Sequence, residues 1–364
     1  MKIVNEKYSV REIAKDISVY ITENELPAGT RLAPSRKLAE RYNVSEITVN
    51  RAIKKLVEKG LVYRVQGNGT FVAGRKYVGS PVRVGFFVWR HNKTNPFEYA
   101  AFGIFEDTLL KELDELGFTV DFIPKLPPHD FVFNGEYLVK YDLMIIPAGM
   151  VTPQTSPLLE KMGLPLITIF GEGLLEYPFH QVFQDYRPGF QKAMNFIRSR
   201  GHRKIYIASL DEETSSTRAS VAIECAARAD LICEELPNNK STQGISSVIM
   251  KGREYCKYFW DNKLDGVIFS VSDFLSFGIL DVVKEQNLEL GRDIKLLSYD
   301  NLESRGVCPF DEPVLTCITH PLLEMAKETV HLVKDVYRNN TKCGEANKII
   351  RVPARELVIR KSLQ

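Results

Sequence analysis

The sequence of 364 residues lacks the features that would mark a metalloprotein, a disulfide-stabilised protein or a membrane protein. Its six cysteines all lie in the C-terminal half, and no two have the Cys-x-x-Cys spacing of a metal or redox site. The six histidines do not cluster with them. The N-terminus has no apolar signal segment, and no apolar run is long enough to cross a membrane. We therefore expect reduced thiols, no metal, no membrane partner and a cytoplasmic protein.

Catalytic motifs are also missing from the sequence. It contains no Walker A loop, no G-x-S-x-G elbow and no H-E-x-x-H motif. The run Gly67-Asn68-Gly69 is too short for a dinucleotide-binding fingerprint and follows the wrong kind of element. We predict that the protein is not an enzyme, has no catalytic residue and binds no cofactor.

The formal net charge of +2 hides an uneven distribution of charge along the chain. Up to Lys76, 15 lysines and arginines stand against 8 aspartates and glutamates, whereas the rest of the chain has 33 against 38. A basic head on a mildly acidic body is typical of a phosphate-binding module joined to a second domain. The length of the chain likewise favours two domains.

Residues 34–72 have the pattern of a winged helix-turn-helix. Apolar residues recur at helical spacing in two short segments, with Ser45 as the N-cap of the second helix and Gly60 as its stop. Two β-rich runs, at 61–64 and 70–72, then predict a hairpin. An amphipathic helix over residues 9–24 precedes the motif, with an apolar face formed by Val10, Ile13, Ile17, Tyr20 and Ile21.

Several spaced positions in this region carry a family resemblance. They are Leu32, Arg36, Leu38-Ala39, Val44-Ser45, Thr48-Val49, Leu56, Gly60-Leu61 and Gly67…Gly69-Thr70-Phe71-Val72. This set resembles the N-terminal domain of GntR-type transcriptional regulators, which implies DNA binding. Two departures, the shifted Ala33-Pro34-Ser35 and the acidic Glu46, affect only which bases are read. The alternative is a small helical domain that makes protein contacts.

The pattern and the resemblance together predict which residues contact DNA. An arginine at the start of the second helix can clamp a phosphate, and polar residues on the first turns of the recognition helix can read bases in the major groove. Wing residues can reach an adjacent groove or phosphate. The predicted DNA-binding residues are Arg36, Ser45, Glu46, Thr48, Asn50, Arg51, Arg64, Gln66, Gly67, Asn68 and Gly69. Alternatively, Ser45 only caps its helix, Glu46 only complements the helix dipole and Gly69 only shapes the turn.

From residue 82 onward, short apolar runs alternate with longer amphipathic stretches, including a helix near residues 100–116. This alternation predicts parallel sheets covered by helices on both faces. The phrases RVGFFV, DLMIIPAG, VFQDYRPGFQKAMNFIRSRGHRKIYIAS, DGVIFSVSDFLSFGIL and IKLLSYDN follow in order. They are similar to the effector domain of LacI-type repressors, which implies two α/β lobes with a ligand cleft between them. A GntR-type head on such a body resembles the arabinose-repressor subgroup.

The resemblance to LacI-type proteins also implies an effector site. In that family an arginine after the loop DEETSST binds ligand oxygens, and the aspartate that ends IKLLSYD accepts hydroxyl protons. The implied effector-binding residues are Phe97, Tyr99, Arg218, Asp273, Phe274 and Asp300. Phe97 and Tyr99 are expected in the loop after the first strand. Alternatively, Asp273 caps the following helix and the aromatic residues belong to the core.

We predict an N-terminal winged helix-turn-helix (α+β) at residues 1–74, a linker at 75–81 and a C-terminal α/β two-lobed periplasmic-binding-protein-like domain at 82–364. The predicted function is an effector-responsive repressor of carbohydrate-utilisation genes that a sugar releases from operator DNA. We expect it to act as a homodimer on two half-sites of double-stranded DNA. The alternatives are a cytosolic small-molecule-binding module whose head contacts proteins, and an enzyme built on the α/β body.

Overall fold

A computed structural model describes residues 8–24, 26, 29–58, 61–65, 68–72, 82–88, 96–124, 141–162, 164–171, 176–238, 244–338 and 347–364 of the chain. Within these ranges, no helix combines the length and the apolar character needed to span a membrane. The same ranges contain no group of three or more His, Cys, Asp or Glu side chains placed to hold a metal ion.

The head consists of three helices followed by a two-stranded hairpin. Its elements are α1 (Val10–Glu23), α2 (Ser35–Tyr42), α3 (Glu46–Glu58), β1 (Val62–Val65) and β2 (Gly69–Val72). The helices enclose a core because Ile13, Ile17 and Ile21 repeat on one face of α1. Tyr20, predicted on this face, is instead 44% exposed, and the Arg41 guanidinium lies over its ring.

The turn between α2 and α3 gives the head its shape. Asn43 has a left-handed φ of 53°, which lets the chain change direction directly after α2. The Ser45 hydroxyl accepts from the Thr48 backbone N–H at 3.2 Å and caps α3, as predicted. β1 and β2 pair antiparallel over their whole length. The predicted winged helix-turn-helix is therefore confirmed.

The first lobe of the body is built on a parallel sheet. Its strands are β3 (Val82–Val88), β4 (Phe118–Pro124), β5 (Leu143–Pro147), β6 (Leu166–Gly171), β7 (His180–Asp185) and β13 (Ile349–Pro353). Its helices are α4 (Pro96–Glu115), α5 (Ser156–Met162) and α10 (Leu322–Arg338). The strand order is β13-β7-β6-β5-β3-β4. All five residues of β5 are buried, which explains its unbroken apolar sequence.

The second lobe repeats this plan. Its strands are β8 (Lys204–Ala208), β9 (Ile232–Glu235), β10 (Val267–Ser270), β11 (Lys295–Asp300), β12 (Thr316–Thr319) and β14 (Leu357–Val358). Its helices are α6 (Arg187–Ser199), α7 (Glu213–Arg228), α8 (Ile245–Asp261) and α9 (Asp273–Glu285). The strand order is β14-β12-β11-β10-β8-β9, and only β14 is antiparallel to its neighbour. Two lobes with parallel sheets confirm the predicted fold class of the body.

Within the described residues, the chain passes between the lobes at three places: from β7 to α6, from β12 to α10 and from β13 to β14. Backbone hydrogen bonds tie these crossings together. The Ala354 N–H donates to the Asp185 carbonyl at 3.0 Å, and the Thr319 N–H donates to the Glu356 carbonyl at 3.0 Å. The crossings therefore form one connected region between the two sheets.

The sequence pattern locates the strongly apolar strands and misses the weaker ones. β5, β8 and β10 lie in apolar runs of the phrases DLMIIPAG, HRKIYIAS and DGVIFS quoted from the sequence. β9, with the sequence Ile-Cys-Glu-Glu, is an edge strand that is largely exposed, so it has no apolar signal. The expected start of α4 near residue 100 is wrong, because Pro96 opens the helix. Phe97 and Tyr99 consequently lie in a helix and not in a loop.

Two glycines allow α8 and α9 to pack at close range. A Cβ added at Gly252 would lie 1.9 Å from the Leu275 carbonyl oxygen, and one added at Gly278 would lie 1.9 Å from the Ile249 carbonyl oxygen. No side chain fits at either position, because the atoms in the way belong to the backbone. The close contact fixes the position of α9, whose N-terminal end faces the candidate effector site.

We expect Gly278→Ala to destabilise the second lobe by about 1–3 kcal/mol, because the added methyl group must displace backbone atoms. Lys257→Ala, on the exposed side of α8, is the matched control and should change the stability by less than about 0.5 kcal/mol. Denaturant unfolding followed by tryptophan fluorescence compares the two variants. Equal stabilities would contradict the close packing.

Candidate functional site

The exposed residues of α2 and α3 form the first candidate site, a surface for DNA. Glu46 and Arg51 are exposed on α3, while Thr48 is half-buried. Arg36 is exposed on the first turn of α2, where its Nε lies 3.6 Å from Oε1 of Glu40. An exposed ion pair of this kind is weak, so Arg36 can exchange its partner for a phosphate.

Asn50 links the recognition helix to the wing and to α2. Its Oδ1 accepts hydrogen bonds from the Ser35 hydroxyl at 3.0 Å and from the Arg64 guanidinium. Bidentate contact with an adenine would need this same oxygen. Without DNA, this oxygen of Asn50 is therefore bonded to Ser35 and Arg64, and its contact with a base stays a prediction.

Arg31, which precedes α2, lies against the wing at Gly69. Gly69 has a φ of 122°, and a Cβ placed there would lie 3.0 Å from Nε of Arg31. Glycine at this position therefore serves both the turn and the close approach of Arg31. The Asn68 N–H closes the turn by donating to a β1 carbonyl at 3.0 Å. Gln66 and Gly67 lie outside the described residues, so their predicted contacts stay predictions.

Ile47 is a DNA-facing candidate that the sequence patterns do not single out. It is 66% exposed on the first turn of α3. It lies off the buried stripe to which Val49 and Ile53 belong. An exposed apolar side chain at this place suits the methyl group of a thymine in the major groove. An apolar residue outside the helical stripe is the signal that could have identified it.

The second candidate site is a concave pocket where the N-terminal ends of α7 and α9 meet. Its lining residues all come from the second lobe and are Leu210, Glu212, Thr214, Ser215, Arg218, Val248, Val271, Ser272 and Phe274. The Leu210 N–H donates to the Ser215 hydroxyl at 2.6 Å, which holds the loop before α7 against the helix. The pocket thus contains two of the predicted effector residues, Arg218 and Phe274.

Arg218 is held by partners on several sides. Its Nη1 donates to the Val271 carbonyl at 2.9 Å and lies 3.4 Å from Oδ1 of Asp300. Its Nε donates to the Tyr186 hydroxyl at 3.3 Å, and its guanidinium carbon lies 4.5 Å from the ring centre of Tyr299. Only 11% of the Arg218 side chain is exposed. A planar set of donors is therefore fixed at the pocket wall before any ligand arrives.

Asp300 meets Arg218 from the end of β11. Its φ of 116° is in the left-handed region, which is strained for a residue with a side chain. Its Oδ2 accepts from the Ser272 hydroxyl at 3.2 Å and from the Asp273 N–H at 3.4 Å. Burial raises the pKa of the Asp300 carboxyl, and the charges of Arg218 and Arg305 oppose that rise. Strain and burial of this kind are typical of a binding site.

Asp273 does not line the pocket, contrary to the expectation. It is fully buried, and its carboxylate accepts from the Ser298 hydroxyl and, at 2.6 Å, from the Leu302 N–H. Burial, followed by the charge of Asp300, raises the pKa of its carboxyl. It does not cap α9 either, because Ser272 is the N-cap. Asp273 supports the end of β11 from behind.

The aromatic candidates differ in position. Phe274 is half-buried at the pocket wall and packs edge-to-face on Phe277, with ring centres 6.1 Å apart. Its ring can therefore cover one side of a ligand. Phe97 and Tyr99 belong to α4 of the first lobe, and their side chains lie outside the described residues. Their contact with an effector stays a prediction.

The arrangement as a whole suits the binding of a small molecule. A planar cation, a carboxylate and several hydroxyl groups beside an aromatic ring can recognise a small molecule that carries hydroxyl groups. The described pocket wall contains no histidine and no cysteine side chain.

A DNA-binding head and a ligand-binding body in one chain define the class of ligand-responsive transcription regulators. Residues 9–72 match the model of bacterial regulatory proteins of the gntR family. Residues 194–363 match the model of the periplasmic binding protein-like domain. The chain therefore combines a GntR-type DNA-binding domain with a periplasmic-binding-protein-like domain, as the sequence motifs predict.

Individual proteins of the same class are similar to this chain over most of its length. The arabinose metabolism transcriptional repressor of Halalkalibacterium halodurans is 24% identical over an aligned length of 361 positions, and the alignment covers 93% of this chain and 91% of the relative. A LacI family regulator from Enterococcus faecium with bound ribose has a TM-score of 0.59 at 20% identity, covering 77% of this chain and 98% of that one. The regulator CelR in complex with cellobiose has a TM-score of 0.59 at 17% identity, covering 88% and 91%. The two structures share the fold of this chain.

We expect Arg36→Ala and Ile47→Ala to affect DNA binding in different ways. Arg36→Ala should weaken binding to all sequences and reduce the slope of log affinity against log salt by about 1, because one phosphate contact is lost.

Ile47→Ala should keep the slope and relax the preference at one position of each half-site by about 1–3 kcal/mol. Selection from a random duplex pool, followed by salt titration, measures both effects. An unchanged slope for Arg36→Ala, or an unchanged selected sequence for Ile47→Ala, would remove that residue from the interface.

Proposed function

We propose that this protein represses sugar-utilisation genes and leaves its operator DNA when a sugar binds to its body. The proposed domains are a winged helix-turn-helix at residues 1–74, a linker at 75–81 and an effector-binding and dimerisation body at 82–364. The gntR-type match over residues 9–72 and the start of the first body strand at Val82 support these bounds. Such a regulator acts in the cytoplasm, on chromosomal DNA.

The observation that carries this proposal is the ion pair of Arg218 with Asp300. The two residues are 82 positions apart in sequence, and their side chains meet at 3.4 Å beside the pocket. A sugar hydroxyl both donates and accepts hydrogen bonds, so it can serve a carboxylate and a guanidinium at once. A ligand without hydroxyl groups would leave buried partners unpaired, at about 1–3 kcal/mol for each group.

The same site and the relatives support a proposal for the effector. The similar protein of Halalkalibacterium halodurans is named for arabinose metabolism, and the similar solved structures hold ribose and cellobiose. We propose a sugar as the effector of this chain, with arabinose as the first candidate. The wall of the pocket supports this choice through its combination of donor, acceptor and aromatic groups.

The proposed mechanism is a change in the arrangement of the two lobes. Two heads in a homodimer would bind the two half-sites of a pseudo-palindromic operator, and their spacing must match that of the DNA. A sugar that binds one lobe arrangement more tightly than the other shifts the population towards it. DNA affinity falls if the favoured arrangement spaces the heads wrongly. No catalytic step is part of this proposal.

We expect Arg218→Met and Asp300→Asn to lower sugar affinity at least about tenfold, because each leaves a buried partner unpaired. DNA affinity without sugar should stay within about twofold of the wild-type value, since the variants lie outside the head core. Arg253→Met is the matched control, because Arg253 bonds Glu285 at 2.6 Å elsewhere on the same lobe. Fluorescence anisotropy with duplex selected from a random pool, titrated with arabinose, ribose and glucose, measures both quantities.

Two outcomes would contradict the proposal at different points. If the full chain binds no duplex in the selection, the head makes protein contacts and the regulator hypothesis is wrong. If Arg218→Met releases DNA at the wild-type sugar concentration, the effector binds elsewhere in the body.

A further inference from the structure

A series of buried polar side chains leads from Arg218 to two of the inter-lobe crossings. Tyr186 follows β7 directly at the first crossing, and His320 lies between β12 and α10 at the second. Gln184 is the last but one residue of β7. The exposed fractions are 4% for Gln184, 2% for Tyr186 and 6% for His320. Polar groups this deeply buried need partners inside the protein.

Each step of this series is a hydrogen bond. Arg218 Nε donates to the Tyr186 hydroxyl at 3.3 Å, and Gln184 Nε2 donates to the same hydroxyl. Gln184 Oε1 bonds Nε2 of His320. Because an amide oxygen only accepts, His320 carries its proton on Nε2 in this arrangement. The hydrogen bonds therefore run in one direction, with His320 donating to Gln184 and Gln184 donating to Tyr186.

The surroundings of His320 favour the neutral form of its imidazole. Burial lowers the pKa of His320 well below its ordinary value, and the positive charges of Arg218 and Arg305 lower it further. The neutral ring provides a single donor on Nε2, which is the group that Gln184 needs.

Tyr299 packs against the members of this series and restricts their movement. Its ring centre lies 5.5 Å from that of Tyr186 and 5.7 Å from that of His320. The guanidinium of Arg218 lies over the same ring at 4.5 Å. A displacement of Arg218 therefore disturbs the packing of Tyr186 and His320 against Tyr299, as well as its own bond to Tyr186.

The position of His320 explains how such a disturbance reaches the lobes. His320 lies in the short segment that joins β12 of the second lobe to α10. The helix α10 packs against the core of the first lobe through Leu322, Met325 and Val330. The Gln184 that bonds His320 belongs to β7, in the sheet of the first lobe. The bond between these two side chains therefore ties one crossing to the other.

We propose that Gln184, Tyr186 and His320 form a hydrogen-bonded relay that transmits the state of Arg218 to the inter-lobe crossings. A ligand that draws the Arg218 guanidinium towards itself weakens the bond to Tyr186, and the other members must move to stay paired. The three are positioning residues and do not line the pocket. The regulatory consequence rests on the proposed function, whereas the coupling of Arg218 to the crossings is a property of the body without ligand.

Hydrogen exchange on the full chain, without sugar or DNA, tests the coupling itself. Arg218→Met should speed amide exchange in the segment 319–322 by at least about tenfold, because it leaves the Tyr186 hydroxyl short of a donor. In a Gln184→Leu background, Arg218→Met should raise the exchange rate of this segment by less than about twofold, since the relay is already interrupted. Arg253→Met is the control and should leave this segment unchanged.

A pair of variants at His320 separates hydrogen bonding from packing. His320→Gln keeps an N–H donor near the position of Nε2, whereas His320→Leu removes it while filling similar space. His320→Leu should bind arabinose, ribose or glucose within about threefold of the wild type, yet need at least about tenfold more of the active sugar to release DNA. His320→Gln should restore most of the release. It should also return exchange in the segment 319–322 to near the wild-type rate.

The results separate the relay from the proposed function. Unchanged exchange in Arg218→Met, an equal effect in the Gln184→Leu background, or equal defects in His320→Gln and His320→Leu would each overturn the relay. If the exchange results are as expected but no sugar releases DNA from the wild type, the relay stands and the effector role proposed for this chain is wrong.

Discussion

The buried pairing of Arg218 with Asp300 is the interaction on which the rest of the effector body depends. Breaking a buried ion pair by removing one partner typically costs about 3–5 kcal/mol, so both residues need further support. Arg218 receives it from a carbonyl and two tyrosines, and Asp300 from Ser272 and a backbone N–H. The strained backbone at Asp300 is tolerated because these contacts fix the side chain on every side.

This pairing also explains why the pocket is ready for a ligand before one binds. Arg218, at the pocket wall, and Asp300, beside the pocket, already satisfy one another and can transfer part of their bonding to the hydroxyl groups of a sugar. The exchange leaves few buried groups unpaired, and therefore needs little reorganisation of the lobe. We expect a ligand to act most strongly on the position of the Arg218 guanidinium. This group is bonded to Tyr186, which lies at an inter-lobe crossing.

The sequence predicts the head well because its signals are local. A capping serine, an apolar stripe and a hairpin each act within a few residues, and the structure bears out the cap, the hairpin and, except for Tyr20, the stripe. In the body, buried strands such as β5 and β8 were predictable from their apolar runs, whereas β9 was not, because an exposed edge strand lacks such a run. Edge position depends on the order of strands in the sheet, which no short segment encodes.

The candidate sites likewise show how far local sequence patterns can predict the position of a side chain. Arg218 and Phe274 line the pocket, whereas the buried position of Asp273 depends on Ser298 and Leu302, which lie more than twenty residues further along the chain. The roles of Asn50, Gln184 and His320 likewise arise from contacts between distant segments. Residue type identifies what a side chain can bind, whereas the fold decides whether a ligand or another residue reaches it first.

The central claim is that sugar binding and DNA binding oppose each other within one chain. Thermodynamic linkage requires that DNA weaken sugar binding by the same factor by which sugar weakens DNA binding. Calorimetric titration of arabinose into the full chain, alone and saturated with selected duplex, measures that factor directly. We predict a sugar affinity that is about 5- to 150-fold weaker in the DNA complex. Equal sugar affinities with and without DNA would contradict it.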